Sequence, residues 1–118
     1  MDDLLALAGR LGELIAENQR FRELRAAEDA VEADASARVL LQSCDRQRRK
    51  IAELEAELKP VEPEDKRELQ RLADATHSNP KLQTLLRCQA DYLEMMNRVN
   101  SAIRDKLGAP AQKDKGTP

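Results

Sequence analysis

Apolar residues recur every three or four positions along most of the chain, which is the spacing of one face of an α-helix. The first apolar stripe follows two aspartates, which suit a helix N-terminus. The second follows Asn18, a residue type that favours helix N-caps. The two stripes comprise Leu4, Leu7, Leu11, Leu14 and Ile15, and then Phe21, Leu24, Ala27 and Val31. They fit either one continuous helix or two separate helices.

Proline and capping residues set the limits of the next two segments. Asp34 predicts the N-cap of a third helix over about 35–59, which Pro60 ends because proline cannot donate a backbone hydrogen bond. Pro63 stands where a proline favours the first helical turn. It therefore predicts a fourth helix over about 63–76.

The longest predicted helix is the last one. Asn79 favours its N-cap and Pro80 its first residue, and the apolar spacing then continues to about Leu107. Gly108 favours the helix end, since glycine readily takes the left-handed conformation of a C-terminal cap. Residues 108–118 lack apolar periodicity and are expected to form a disordered tail. The folded part is predicted to be one helical domain over residues 1–107.

The third and fifth helices carry apolar seams that alternate steps of three and four residues, the repeat of coiled coils. The seam positions assigned to helix pairing or self-association are Leu40, Cys44, Ile51, Leu54, Leu58, Leu82, Leu86, Leu93, Met96 and Ile103. A neighbouring stripe, Leu85, Tyr92 and Val99, widens the apolar face of the fifth helix. Because one short chain has too little surface to cover every stripe, we expect a homo-oligomer, a dimer or larger.

The composition narrows the fold class. Aromatic residues make up 2% of the chain and charged residues 36%, and β-branched residues are few. Folds rich in strands are excluded on these grounds, since strands favour β-branched and aromatic residues. The sequence therefore predicts an all-α bundle of about five long helices with coiled-coil-like antiparallel packing.

Charge is balanced overall but unevenly distributed. The chain has 20 basic and 22 acidic residues, a balance that argues against a dedicated nucleic-acid-binding protein. Residues 1–34 carry nine acids and four bases, whereas residues 81–118 carry four acids and seven bases. This asymmetry offers attraction between the two ends of different subunits.

The residue patterns do not predict catalysis or a cofactor. The sequence has no phosphate-binding glycine loop. The single histidine, His77, is expected to complement a helix dipole rather than to bind a metal with Asp74. Cys44 and Cys88 are expected to be free, buried thiols. We therefore expect a non-enzymatic protein without cofactor or metal. No apolar run reaches about 18 residues and the N-terminus is acidic, so we also expect the protein to be cytoplasmic.

A partner surface is predicted from six residues: Phe21, Leu24, Arg46, Arg48, Arg49 and Lys50. The last four, here called the basic cluster, lie within one and a half turns of the third helix. They are interpreted as a solvated face with ion pairs between neighbouring turns, such as Arg49 with Glu53. The alternative interpretation is a contact for RNA or for an acidic protein.

Several stretches resemble the YlbF/YmcA family of small bacterial helical proteins. The resemblance covers about residues 4–107 in order. It rests on segments 14–24 (LIAENQRFREL) and 31–37 (VEADASA), on Gln47, on the proline-containing break, and on segments 79–82 (NPKL) and 103–107 (IRDKL).

The resemblance implies an all-α, oligomeric protein with a regulatory or adaptor role. Members of the family affect competence, sporulation and biofilm formation, some through a complex that influences an endoribonuclease and mRNA processing. Some members are associated with iron–sulfur clusters. Two cysteines are fewer than the four thiolates that usually hold a cluster, so that property is not transferred here. The function hypotheses are an adaptor that binds an unidentified protein, a weak RNA-binding protein, and a purely structural oligomer.

Overall fold

The computed structural model describes residues 1–108 and shows five helices in that range, without a strand. The helices are α1 (Asp2–Glu17), α2 (Gln19–Glu32), α3 (Ala35–Ala56), α4 (Pro63–His77) and α5 (Pro80–Leu107). The all-α fold class and the five helices are confirmed. The predicted disordered tail lies outside the described residues, apart from Gly108 itself.

Three predicted N-caps are present, and one of them separates α1 from α2. Asn18 has extended backbone angles, and its side-chain oxygen accepts a hydrogen bond from the Arg20 amide at 2.8 Å. Asp34 accepts from the Ala37 amide at 3.0 Å at the start of α3. Asn79 accepts from the first amides of α5. The first two helices are therefore separate, which the apolar pattern alone did not decide.

The predicted end of α3 is wrong by three residues. The helix ends at Ala56 rather than at about residue 59, and Leu58 takes the left-handed conformation with a φ of 58°. The Lys59 amide donates to the Leu54 carbonyl at 2.8 Å and the Leu58 amide donates to the Glu55 carbonyl at 3.1 Å. These two bonds form a Schellman cap, which usually has glycine where this chain has leucine. The helix end therefore lacked its usual sequence signal.

Helices α2 and α5 pack side by side and hold most of the core. Ion pairs and caps place the start of α2 beside Glu94 and its end beside Lys81, so the two helices run antiparallel. The core residues are Leu24, Ala27, Val31, Ala37, Leu82, Leu85 and Cys88, and the partly buried Leu40, Leu41 and Tyr92 pack against them. Small residues such as Ala27 and Ala37 let the helices approach closely.

Helices α3 and α4 form a second antiparallel pair that extends away from this core. The side chain of Gln47 donates to the Asp65 carbonyl at 2.9 Å, and Lys50 pairs with the Asp65 carboxylate at 2.8 Å. Further toward the core, the Cys44 sulfur lies 3.1 Å from the Thr76 hydroxyl, which itself donates to the Leu72 carbonyl. The buried polar atoms of the described residues all have a partner.

Helix α1 stands apart from the rest of the described chain. It contacts α2 but not α3, α4 or α5, and none of its residues is buried. The radius of gyration is 19.4 Å, against about 13 Å for a compact chain of this length. The polypeptide is therefore elongated, with a thin core and long projecting helices. Within residues 1–108, no helix is both long enough and apolar enough to cross a membrane.

Candidate interaction surface

Helix α1 presents a row of apolar side chains, here called the α1 face, which the described chain covers only in part. It consists of Leu4, Leu7, Leu11, Leu14 and Ile15. Leu7 is 70% exposed and Leu14 is 49% exposed. Gly9 and Gly12 lie on the opposite side of the helix, where a side chain would meet nothing within 4 Å. Close packing within the chain therefore does not explain either glycine.

Helix α5 carries two apolar stripes about a quarter of a turn apart. The inner stripe, made of Leu85, Cys88, Tyr92, Met95 and Val99, faces α2 and is buried or half-buried. The second stripe, here called the α5 ridge, consists of Leu86, Leu93, Ile103 and Leu107, and all four side chains are exposed. The second half of the ridge extends beyond the start of α2. The described chain leaves it uncovered.

The structure divides the predicted seam into three groups. Leu82 and Cys44 are buried within the chain, whereas Leu40, Ile51, Leu54 and Met96 are half-buried. Leu58, Leu86, Leu93 and Ile103 are exposed. The packing of α5 inside the chain thus uses Leu82 of the predicted seam but otherwise mainly the neighbouring stripe. Both stripes have helical spacing, and only the position of α2 selects between them.

Part of the predicted partner surface belongs to the interior. Leu24 is a core residue, so its assignment to a partner surface is wrong for this fold. Phe21 is half-buried because its ring packs against Tyr92, with the ring centroids 5.9 Å apart. The guanidinium of Arg25 lies over the Phe21 ring, 5.9 Å from its centroid. The two aromatic residues of the chain therefore fasten α2 to α5.

The four cations of the basic cluster are distributed around α3 and differ in their surroundings. Lys50 pairs with Asp65 on α4, which raises the pKa of Lys50 and lowers that of Asp65. Arg46 donates to the Ser43 hydroxyl at 3.3 Å. Arg48 and Arg49 are exposed. At most half of the cluster is thus available to an anionic partner without breaking a contact.

Histidine, cysteine and carboxylate side chains are the groups with possible metal or catalytic chemistry. The described residues contain no set of three or more His, Cys, Asp and Glu side chains that could hold a metal ion. Cys44 and Cys88 are both free and buried, in different parts of the core. His77 is exposed at the C-terminal end of α4, where its backbone carbonyl accepts from the Gln83 side chain.

Two features that organise this surface were absent from the sequence predictions. Arg20 reaches across to α5 and pairs with Glu94 at 2.8 Å, which raises the pKa of Arg20 and lowers that of Glu94. Thr76 is a buried polar residue between α3 and α4. Arg20 follows the N-cap of α2 and Glu94 lies 74 positions later, so only the antiparallel pairing brings them together.

Two solved structures share this fold along almost their whole length. A protein of unknown function (DUF964) from Bacillus stearothermophilus matches with a TM-score of 0.74 and 20% identity, covering 90% of this chain and 93% of the other. Bacillus subtilis RicA, solved in complex with RicF, matches with a TM-score of 0.71 and 15% identity, covering 95% and 96%. The curated proteins contain no significant match.

The sequence itself also matches a family profile. The match extends over residues 4–108, which is nearly the whole described chain, and the family is described as control of competence regulator ComK, YlbF/YmcA. The solved neighbours have the same five-helix fold. The resemblance noted from the capping and apolar positions is confirmed, and the chain belongs to the YlbF/YmcA family.

Proposed function

We propose that this protein is a non-enzymatic regulatory adaptor that self-associates and presents helical apolar surfaces to a protein partner. One observation carries the proposal. The α1 face and the α5 ridge together present nine apolar side chains at helical spacing, of which seven are exposed and two, Leu11 and Ile15, are half-buried. The chain is too elongated to cover them. Uncovered patches of this kind mark sites of protein–protein contact, because isolated apolar stripes are unstable in water.

The comparisons support an adaptor without naming the partner of this chain. The family description links its members to control of the competence regulator ComK. RicA, which has the same fold, was solved in complex with another protein, RicF. By resemblance, we propose that the pathway is one of competence, sporulation, biofilm formation or mRNA processing. The partner would then be a subunit of an RNA-processing complex in the cytoplasm.

Direct RNA binding through the basic cluster is the less favoured function. Two of the four cations already contact Asp65 or Ser43. Phe21 and Tyr92, which could stack on bases, pack together on another part of the molecule. A gel-shift experiment with single-stranded RNA at low salt distinguishes the two functions. Binding that Arg48→Glu with Arg49→Glu abolishes would favour RNA, whereas no shift is expected for an adaptor.

Affinity capture from a native lysate of the source organism tests the adaptor. The wild-type chain should enrich a specific protein, and Leu93→Asp on the α5 ridge should lose it. Val39→Asp is the matched control, since Val39 is 56% exposed and Leu93 is 59% exposed, but Val39 lies on α3 outside both apolar surfaces. Recovery of only the chain itself from the wild type would favour a purely structural oligomer instead.

A further inference from the structure

We infer that the α1 face of one copy lies antiparallel along the α5 ridge of a second copy, and that the second copy returns the same contact. This inference rests on the self-association in the proposed function, and it specifies which surfaces meet. The resulting interface is two-fold symmetric, since each copy contributes one α1 face and one ridge. Each of the two equivalent contacts joins the α1 face of one copy to the α5 ridge of the other.

Helix α1 needs a covering surface in order to be stable. It has 16 residues, which is close to the lower limit for an isolated helix in water even with good helix formers. Gly9 and Gly12 weaken it further, and within the described chain it contacts α2 alone. A second copy that buries Leu4, Leu7 and Leu11 supplies the stabilisation that the single chain lacks.

The spacing of the two surfaces matches in one arrangement. The ridge, with Met96 and Asn100 between its exposed members, continues the steps of three and four residues from Leu93 to Leu107. The α1 face has the same steps from Leu4 to Leu14. An antiparallel alignment that begins with Leu4 beside Leu107 places Leu7 beside Ile103. At 1.5 Å per residue, the matched length is about 15–20 Å, which fits within both helices.

Charge favours the same arrangement. The flanks of α1 carry Asp2, Asp3, Glu13 and Glu17 against one base, Arg10. The last ten residues of α5 carry Arg98, Arg104 and Lys106 against one acid, Asp105. In the antiparallel alignment, Asp2 and Asp3 approach Arg104 and Lys106, and Glu13 approaches Arg98. A parallel alignment instead brings the two N-terminal aspartates toward Asp91 and Glu94.

The accessible area is large enough for such an interface. The chain exposes 9036 Å², which is about 2,500 Å² more than a compact monomer of 13.3 kDa. A stable dimer of standard size buries about 800 Å² on each partner. The exposed surface is therefore large enough for a self-association contact of standard size.

Thiol cross-linking between singly substituted proteins tests the pairing directly. The native Cys44 and Cys88 are buried, so an introduced surface cysteine is the accessible thiol and the unsubstituted protein is the control. Leu7→Cys and Ile103→Cys, mixed and treated with a short bismaleimide, should give a covalent dimer that contains one chain of each kind. Either protein alone should give at least about tenfold less covalent dimer.

Other products would overturn the inference in identifiable ways. Dimers formed by Leu7→Cys alone would indicate that α1 faces pair with each other, and dimers formed by Ile103→Cys alone would indicate that ridges pair. A product from Leu14→Cys with Ile103→Cys in place of the expected one would indicate a parallel arrangement. A monomeric mass by light scattering at micromolar concentration would exclude the contact altogether.

A second measurement distinguishes loss of the contact between the two copies from unfolding of α1. Gly9→Ala with Gly12→Ala strengthens α1 on the side away from its apolar face, so it should tighten the dimer by several-fold. Leu7→Asp should weaken it by at least about tenfold. Cross-linking could give no mixed dimer while Leu93→Asp still fails to capture the protein that the wild type captures. In that case the adaptor function is supported, and the ridge binds that protein rather than the α1 face of a second copy.

Discussion

The inner stripe and the α5 ridge are two apolar rows on the same helix that differ in what covers them. Residues of the inner stripe, such as Leu85 and Cys88, are 4% and 2% exposed because α2 lies on them. Leu93 and Leu107, on the ridge, are 59% and 75% exposed. Both rows are mainly apolar and follow the period of the helix. Their difference shows that helical periodicity identifies an apolar row, whereas the neighbouring helix determines whether folding or association uses it.

The largest expected effect compares the truncation of a buried residue of α5 with the truncation of an exposed residue on the ridge. Leu82→Ala removes a buried side chain at the start of α5 and should lower the free energy of unfolding by about 2–5 kcal/mol at every protein concentration. Ile103→Ala on the ridge, where the residue is 47% exposed, should have a small effect in dilute protein. The loss of stability that it causes should grow with protein concentration, since association stabilises the ridge. Thermal unfolding at two protein concentrations measures both.

The matched control for this pair is Val39→Ala, which truncates an exposed apolar side chain outside both rows. Its effect should be small and independent of concentration. If Ile103→Ala behaved like Val39→Ala at all concentrations, the ridge would have no role in self-association. If Leu82→Ala were tolerated as well, the assignment of Leu82 to the core would be contradicted.

Local features were predictable from the sequence wherever a residue type has one dominant role. Asn18, Asp34 and Asn79 act as N-caps as expected, and Pro63 and Pro80 occupy first turns. Gly108 ends α5 in the left-handed conformation. These signals depend on the backbone near each residue and need no knowledge of the tertiary structure. They predicted most of the helix limits, whereas the separation of α1 from α2 was left open.

The interaction surface was less predictable, because it depends on helices that are distant in the sequence. The predicted α5 seam contained Leu86 and Leu93, and the packed stripe turned out to be its neighbour. Leu24 was assigned to a partner surface and lies in the core. The ion pair of Arg20 with Glu94 requires the antiparallel position of α2 on α5. A single sequence provides none of this information.

A smaller effect is expected at the tip of the α3–α4 pair, where an exposed apolar residue carries backbone strain. Leu58 is 94% exposed and has a φ of 58°, so its side chain contributes little contact while its backbone is unfavourable. Leu58→Gly should therefore raise the free energy of unfolding by roughly 0.5–1 kcal/mol, in contrast to any truncation of a core leucine. Leu58→Ala, which keeps the strain, should give no such gain. Denaturant unfolding of both variants measures the difference, and destabilisation by glycine would show that the leucine side chain stabilises the fold.

The smallest expected effect concerns ion pairs, which distinguish the packed helices from α1. Within residues 1–108, the pairs that join different elements are Arg20–Glu94, Lys81–Asp34 and Lys50–Asp65, and none of them involves α1. The hydrogen bond from Lys50 lowers the pKa of Asp65, and that from Arg20 lowers the pKa of Glu94.

These lowered pKa values determine the direction of the pH dependence. A carboxyl whose pKa is lower in the folded state stabilises the fold fully above its unfolded pKa, near 4, and loses that contribution as the pH falls through the folded value. The melting temperature should therefore stay level between pH 7 and about 5 and fall below about pH 4. Asp65→Asn should reduce this acid-induced fall slightly, whereas Asp45→Asn, on the exposed side of α3, should leave it unchanged. An equal fall in all three proteins would mean that acid acts on the chain as a whole, and that the ion pair between α3 and α4 has no measurable part in holding these helices together.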